Sequence, residues 1–211
     1  MEGGGQKVEG GPSPSTLHLL PSTINPFFMT EPSIQPAPGI WSHMNTVNGN
    51  ESLAQMADRK PVLLVFLRFF GCSFCREAIS DIAKQRKKLE AQGFRIVFVH
   101  MAADAEVAEK FFKKYKLYPI DHISDPETAY YRAFGLGRGT PQQLFGLMSW
   151  IRGFQASVLE GHGATASYSD EELGDGFQMP GVFVLYRGEI RKSFVHQYIY
   201  DRPDYEAICQ F

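Results

Sequence analysis

Cys72 and Cys75 stand three positions apart in Phe70-Gly71-Cys72-Ser73-Phe74-Cys75-Arg76. If a helix starts at the first of them, the second lies one turn on and can reach it to form a disulfide. The chemistry such a pair supports is thiol–disulfide exchange: Cys72 attacks a disulfide or an oxidised substrate, then Cys75 attacks Cys72 and resolves the adduct. Other uses of the pair stay open. A lone CxxC can be half of a zinc site, although no second cysteine pair and no CxxC…HxxxH spacing accompanies it here. It can hold a metal or iron–sulfur cluster shared across a dimer, or be two unreactive core thiols. Cys209, the third cysteine, falls near the end of the last element and reads as an incidental free thiol.

The elements around the pair place it. Val62 to Phe69 (VLLVFLRF) is an almost unbroken apolar run, the pattern of a central strand covered on both faces. From Ser73 to Ala91 the spacing becomes helical, with Ile79, Ile82, Ala83 and Leu89 inward and Lys84, Arg86, Lys87 and Lys88 on a solvated face. Cys72 therefore sits beyond the carboxyl end of a strand, where open α/β sheets carry their sites. It also sits at a helix start, where unpaired backbone N–H groups and the helix dipole stabilise a thiolate. Arg76, one turn on, either adds positive potential there or is a solvated helix residue. Phe94 to Met101 is a second buried strand, and His100 at its end shares the sheet edge of Cys72, which makes it a candidate base. Asp104 to Lys116 is an amphipathic helix capped by Asp104. Strand–helix–strand–helix in this tempo predicts right-handed connections and a parallel core.

Further along, Asp125-Pro126 reads as the cap and first residue of a helix reaching Phe134. Gln142 to Gly153 is expected to be helical and Glu160 to Gly176 a long loop. Val182–Tyr186, Arg187-Gly188 and Glu189–Val195 read as a hairpin, and Asp201 to Gln210 as a closing helix. Ser52 to Arg59 predicts a short helix. Before it, residues 1–45 are broken by seven prolines and by glycine runs, from Gly3-Gly4-Gly5 to Pro38. They predict a flexible arm preceding a domain of residues 46–211. Leu19, Leu20, Phe27, Phe28 and Trp41 make part of that arm apolar enough to dock on the domain or on a second subunit.

At 211 residues, 44% hydrophobic and 21% charged, the chain can bury a substantial core without disulfide staples. A net charge of -2 gives no general attraction for nucleic acid or an anionic membrane. No apolar span of 18 residues and no Lys/Arg-then-apolar leader is present, so the expectation is a cytoplasmic protein without membrane or nucleic-acid partners.

Phe66-Leu67-Arg68-Phe69-Phe70-Gly71-Cys72-Ser73-Phe74-Cys75-Arg76-Glu77 resembles the peroxiredoxin-like proteins of the AhpC/TSA superfamily, particularly the SelL-related redox proteins. So do Ser124-Asp125-Pro126 with Tyr131-Arg132-Ala133-Phe134-Gly135-Leu136, and Met179-Pro180-Gly181-Val182-Phe183-Val184-Leu185. The resemblance covers roughly residues 60–208. It implies a thioredoxin-like α/β fold with a central mixed sheet flanked by helices. It implies that Cys72 is the attacking cysteine and that Pro180 is the cis-proline facing the pair. It also implies a thiol or disulfide donor or acceptor as partner, a peroxide as an additional substrate, and no cofactor or metal; a homodimer is compatible with it. The chain departs from the peroxiredoxin pattern at Phe69, where a threonine stands, and lacks that pattern's later arginine, for which Arg68 or Arg152 can substitute. Phe66 replaces the buried carboxylate of thioredoxins. The expected activity is thiol–disulfide oxidoreduction with modest peroxide reduction. A committed thiol peroxidase and a non-catalytic protein holding a metal or cluster through Cys72 and Cys75 are the alternatives.

Overall fold

Every residue of VLLVF is buried, and the segment forms the central strand β1 (Val62–Phe66). The computed structural model describes Met1, Pro36 and residues 39–49, 51–146 and 174–210. In these, β1 is flanked on one side by β2 (Arg95–His100) and β3 (Asp121–Ser124), both parallel, and on the other by the antiparallel hairpin β4 (Gly181–Tyr186) and β5 (Glu189–Val195). The order is β3-β2-β1-β4-β5, so the sheet is mixed. The parallel part needs crossovers, and these are α3 (Ser73–Ala91) and α4 (Ala105–Lys114).

The strand pleat sends alternate residues to two cores. Leu63 and Val65 face Ile79 and Ile82 of α3, Phe111 of α4, and Tyr205 and Ile208 of the short C-terminal helix, α7 (Tyr205–Ile208). Leu64 and Phe66 face Trp41 of α1 (Ile40–His43), Met56 of α2 (Leu53–Arg59), and Tyr131 and Phe134 around α5 (Ala129–Ala133). Trp41 stacks on Phe134 with centroids 6.5 Å apart; residues 2–35, 37 and 38 of the expected arm lie outside the described residues.

Several expectations shift. The first strand stops at Phe66 rather than Phe69, because the Tyr131 hydroxyl bonds the Leu67 carbonyl and, at 3.1 Å, that of Val99, and the chain then turns out of the sheet. Strand β3 was not foreseen: it has four residues, of which only His122 and Ile123 are buried, too few for a period. Asp125 is not the N-cap of α5, which is Thr128 (φ 53°), and the helix starts three residues later than Pro126; the Asp125 carboxylate still accepts from the N–H groups of Ala129, Tyr130 and Tyr131. Pro141–Phe145 forms the five-residue α6, capped by Thr140, and the remainder of the expected helix falls outside the described residues, as does most of the Glu160–Gly176 loop. The closing helix shrinks to four residues because Asp201, Arg202 and Pro203 are used elsewhere. Arg187 (φ 51°) and Gly188 (φ 75°) make the tight hairpin turn, which needs positive φ at both positions. Among the described residues no helix is long and apolar enough to cross a membrane.

Candidate active site

Where β1 ends, the chain makes a tight turn in which the Cys72 N–H donates to the Phe69 carbonyl at 3.1 Å. Cys72 is the N-cap of α3, in extended backbone geometry, and the residue is 7% exposed. Arg68, itself buried, folds back across this turn. Its Nη1 donates to the Cys72 Sγ at 3.3 Å, its Nη2 donates to the Gly176 carbonyl, and its guanidinium lies 5.0 Å from the Phe69 ring centre. Phe69, standing where the related pattern has a threonine, thus packs against the arginine.

Both cysteines are free thiols. The Cys72 thiol is brought down to about 6, chiefly by the hydrogen bond from the Cys75 thiol, with help from the Arg68 cation and the backbone N–H groups of Cys75 and Phe74; burial opposes this. Cys75 moves the other way, raised by burial and by the hydrogen bond and negative charge it shares with Cys72. The pair is therefore divided into an acidic sulfur and a proton-holding one, which is the division that attack followed by resolution requires.

The cysteines open on a cleft of about 30 Å³ walled by Phe74, Pro180, Val182, His196, Ile199 and Tyr205. Pro180 is brought to the pair, but the Met179–Pro180 bond is not cis: among the described residues the cis bond is Tyr118–Pro119. The segment enters β4 already extended, with Met179 N–H on the Gly137 carbonyl and the Gln178 amide on the carbonyls of Leu136 and Gly137. His100 is not part of the cleft. It is fully buried, its Nε2 lies 2.9 Å from His122 Nδ1, and burial, with His122 beside it, pushes it to about 3. Phe70, 5.5 Å from its ring, stands over it. Arg76 is 1% exposed, and it neither faces water nor heads the charges acting on Cys72. Its Nε and Nη1 have no hydrogen-bond partner, and its charge acts on Tyr115. The cation on the sulfur is Arg68 instead, because the turn after β1 points it at Cys72.

Three residues of the cleft had no sequence signal. His196, at the end of β5, is held near 4 by burial; its Nδ1 is buried without a partner and its backbone N–H donates to the Pro180 carbonyl. Glu77, 3% exposed, belongs to α3. It meets Arg202 Nη1 at 2.8 Å, while Arg202 Nε and Nη2 each hold one oxygen of Asp81 at 2.7 Å. A contact spanning more than 120 positions leaves no local trace in the chain.

A second, larger groove of about 640 Å³ lies at the opposite strand ends, beside Lys60, Arg59, Arg86, Arg95, Pro119 and Asp121. Its arginines are ion-paired: Arg95 with Glu51 and Asp121, Arg86 with Glu90, Arg59 with Glu51. No group of three or more His, Cys, Asp or Glu among the described residues is arranged to hold a metal ion.

Comparisons with known proteins place this geometry. A Salmo salar prostamide/prostaglandin F synthase is 35% identical over 81 residues, spanning 38% of this chain and 39% of that protein. A Danio rerio protein of the same name is 23% identical over 169 residues, spanning 79% and 81%. Among solved structures, the fold is shared with a Xanthomonas campestris peroxiredoxin Q at TM-score 0.54 and 14% identity, covering 79% of this chain and 87% of that one. A bacterioferritin comigratory protein of the same organism gives TM-score 0.54 at 13% identity, over 78% and 87%. The fold is thioredoxin-like. The sequence pattern of the AhpC/TSA antioxidant enzymes matches residues 81–198, more than half of the chain, beginning just after the cysteine pair and taking in Pro180 and His196. The chain belongs to the AhpC/TSA antioxidant enzyme family.

Proposed function

We propose that the protein is a thiol-dependent oxidoreductase in which Cys72 is the nucleophile and Cys75 the resolving thiol. The observation that carries this reading is the hydrogen-bonded set Arg68–Cys72–Cys75, which leaves one sulfur ionised near neutral pH and the other protonated beside it. With a disulfide substrate, the Cys72 thiolate forms a mixed disulfide and expels one substrate thiolate. Cys75 gives up its proton and attacks Cys72, forming the Cys72–Cys75 disulfide and releasing the second thiolate. With a hydroperoxide, the thiolate takes the terminal oxygen as the O–O bond breaks, leaving a sulfenic acid and an alkoxide that is protonated. Cys75 then displaces hydroxide, which leaves as water with the Cys75 proton. In either case an external dithiol returns the pair to the reduced state and is itself oxidised.

Arg68 serves both routes, because its cation stabilises the thiolate and stands beside the position where negative charge develops on the leaving oxygen. The absent threonine favours disulfide exchange as the main route, with peroxide reduction slower. Cytoplasmic location fits a pair that is kept reduced.

The test is a stoichiometric titration. Reduced protein exposed to one equivalent of a small disulfide or peroxide loses two hydrogen mass units and two titratable thiols, and a dithiol restores them. Cys72→Ser abolishes both changes, whereas Cys75→Ser stalls at a mixed disulfide or sulfenic acid on Cys72. A folded protein whose Cys72 fails to react with either oxidant defeats the proposal. Peroxide consumption faster than disulfide exchange by several orders of magnitude makes it a committed peroxidase instead.

A further inference from the structure

The cysteine cleft is nearly shut. Its volume of about 30 Å³ accommodates roughly two waters, and Cys72 and Cys75 are 7% and 4% exposed. One wall is α3, which carries Phe74, Glu77 and Ala78. The facing wall is the chain from His196 to Tyr205, which crosses the cleft before entering α7. This wall is folded on itself by Asp201, whose carboxylate accepts from the N–H groups of Gln197 and Tyr198 at 2.7 and 2.8 Å. Among the described residues, Arg202 ties the wall to α3 through ion pairs to Glu77 and to both oxygens of Asp81, while Phe74 of α3 packs against the cluster that holds Ile199, and Tyr205 shares the core of Ile79 and Ile82.

The two sides of that tie are unlike. The side chains of Glu77 and Asp81 are 4% and 9% exposed, whereas that of Arg202 is 42% exposed. The carboxylates stay with the helix, and the guanidinium reaches in from solvent. A planar fork on two carboxylates fixes the approach of the wall in a way a point charge does not. The cation can leave for water at less cost than the anions can be moved, so this is the side that opens.

We infer that Arg202 is a specificity-determining residue: by clamping the 196–205 wall to α3 it admits small oxidants to Cys72 and excludes bulky ones until the clamp opens. The inference rests on the proposed role of Cys72 as the reactive sulfur, and adds to it the class of molecule that reaches the sulfur without rearrangement. Small hydroperoxides enter directly. A disulfide, or a molecule the size of the prostamide and prostaglandin in the fish relatives' names, requires the wall to swing away.

Alkylation of Cys72, followed by peptide mass mapping, tests this without depending on turnover. Reduced protein is treated with iodoacetamide and, separately, with a maleimide carrying a polyethylene glycol chain, and each rate is referred to that of the same thiol in the urea-unfolded chain. The folded protein is expected to discriminate against the bulky reagent at least 100-fold more than the unfolded chain does. In Arg202→Lys, which keeps the charge but loses the fork, that discrimination narrows several-fold. In the charge-free set Arg202→Met, Glu77→Gln, Asp81→Asn it narrows at least tenfold, while the iodoacetamide rate changes less than threefold. Native protein that discriminates no more than unfolded chain overturns the inference, and so do folded variants with native discrimination. The native measurement decides the closed wall even where a variant fails to fold. Absent oxidant turnover with a narrowed discrimination removes the proposed function and leaves the clamp standing.

Discussion

The two ends of the sheet hold two hollows of opposite character. At the amino ends of the strands, the groove beside Lys60 and Arg95 is about 640 Å³, rimmed with cations and open to solvent; at the carboxyl ends, the cysteine cleft is about 30 Å³ and almost closed. By size and by number of charges the first is the more conspicuous. Yet its charges answer one another in pairs that remain partly hydrated, and such pairs contribute little. In the small cleft, burial raises the stake of every polar atom: Arg68 has a sulfur and a carbonyl to satisfy, Cys72 and Cys75 are driven apart in acidity, and His196 Nδ1 is left without a partner. Reactivity follows desolvated, unequal groups rather than large, balanced ones.

Substitutions at the two ends can break that contrast. Cys72→Ser is expected to lower oxidant consumption at least 100-fold, while Arg59→Ala and Lys60→Ala together leave it within twofold; a large loss from the groove pair would reverse the assignment. Next in size, Arg202→Ala should cost about 2–3 kcal/mol of stability by denaturant titration, because Glu77 and Asp81 lose a forked cation that offsets their burial. Arg59→Ala should change it by less than about 0.5 kcal/mol.

Acidity sharpens the comparison further. Iodoacetamide labelling of Cys72 is expected to be half-maximal near pH 6 and to fall below it as the thiolate takes up its proton. Arg68→Met removes one stabilising cation and should move the midpoint up by about one pH unit. Cys75→Ala removes the stronger influence and should move it further, so the reverse order would show that the cation rather than the neighbouring thiol governs the site.

Acid stability offers a further test. His100 and His196 are held neutral by burial, near 3 and 4, and His122 is also lowered. Their folded values lie below the unfolded one of 6.5, so the unfolded chain binds protons first as pH falls. Stability is full above pH 6.5 and erodes toward pH 4, by up to about 1.4 kcal/mol per pH unit for each such histidine. Thermal melts at pH 7, 6 and 5 should show the decline, and His100→Gln should flatten it if the variant folds.

Much of this was legible in the chain. The VLLVF run, the switch to helical spacing at Ser73, the Asp104 cap and the Arg187-Gly188 turn are local patterns, and each element forms where its pattern lies. Cys72 at a helix start follows from the same patterns. The groups that tune it were harder to read. His100 and Arg76 were placed beside Cys72 by sheet edge and helical spacing, which fix position but not the direction of a side chain; one is enclosed with His122 and the other is buried and is not among the charges that act on Cys72. Arg68 carried a signal, a charge in an apolar run, which a strand reaching Phe69 obscured. Glu77 and Arg202 find each other only through the fold.

The grip of the Gly176 carbonyl on Arg68 has a consequence for the order in which a new molecule acquires its reactivity. Cys72 and Arg68 leave the ribosome about a hundred residues ahead of Gly176, and β4, which must slot beside β1 to bring that carbonyl in, follows later still. Until then the arginine lacks its brace and the sulfur lacks its enclosure, so a nascent or truncated chain carries a thiol without the full set of groups that acidify it. The acidic sulfur is in this sense a certificate of completed synthesis: labelling at pH 6 should count finished molecules and pass over fragments that stop short of residue 174.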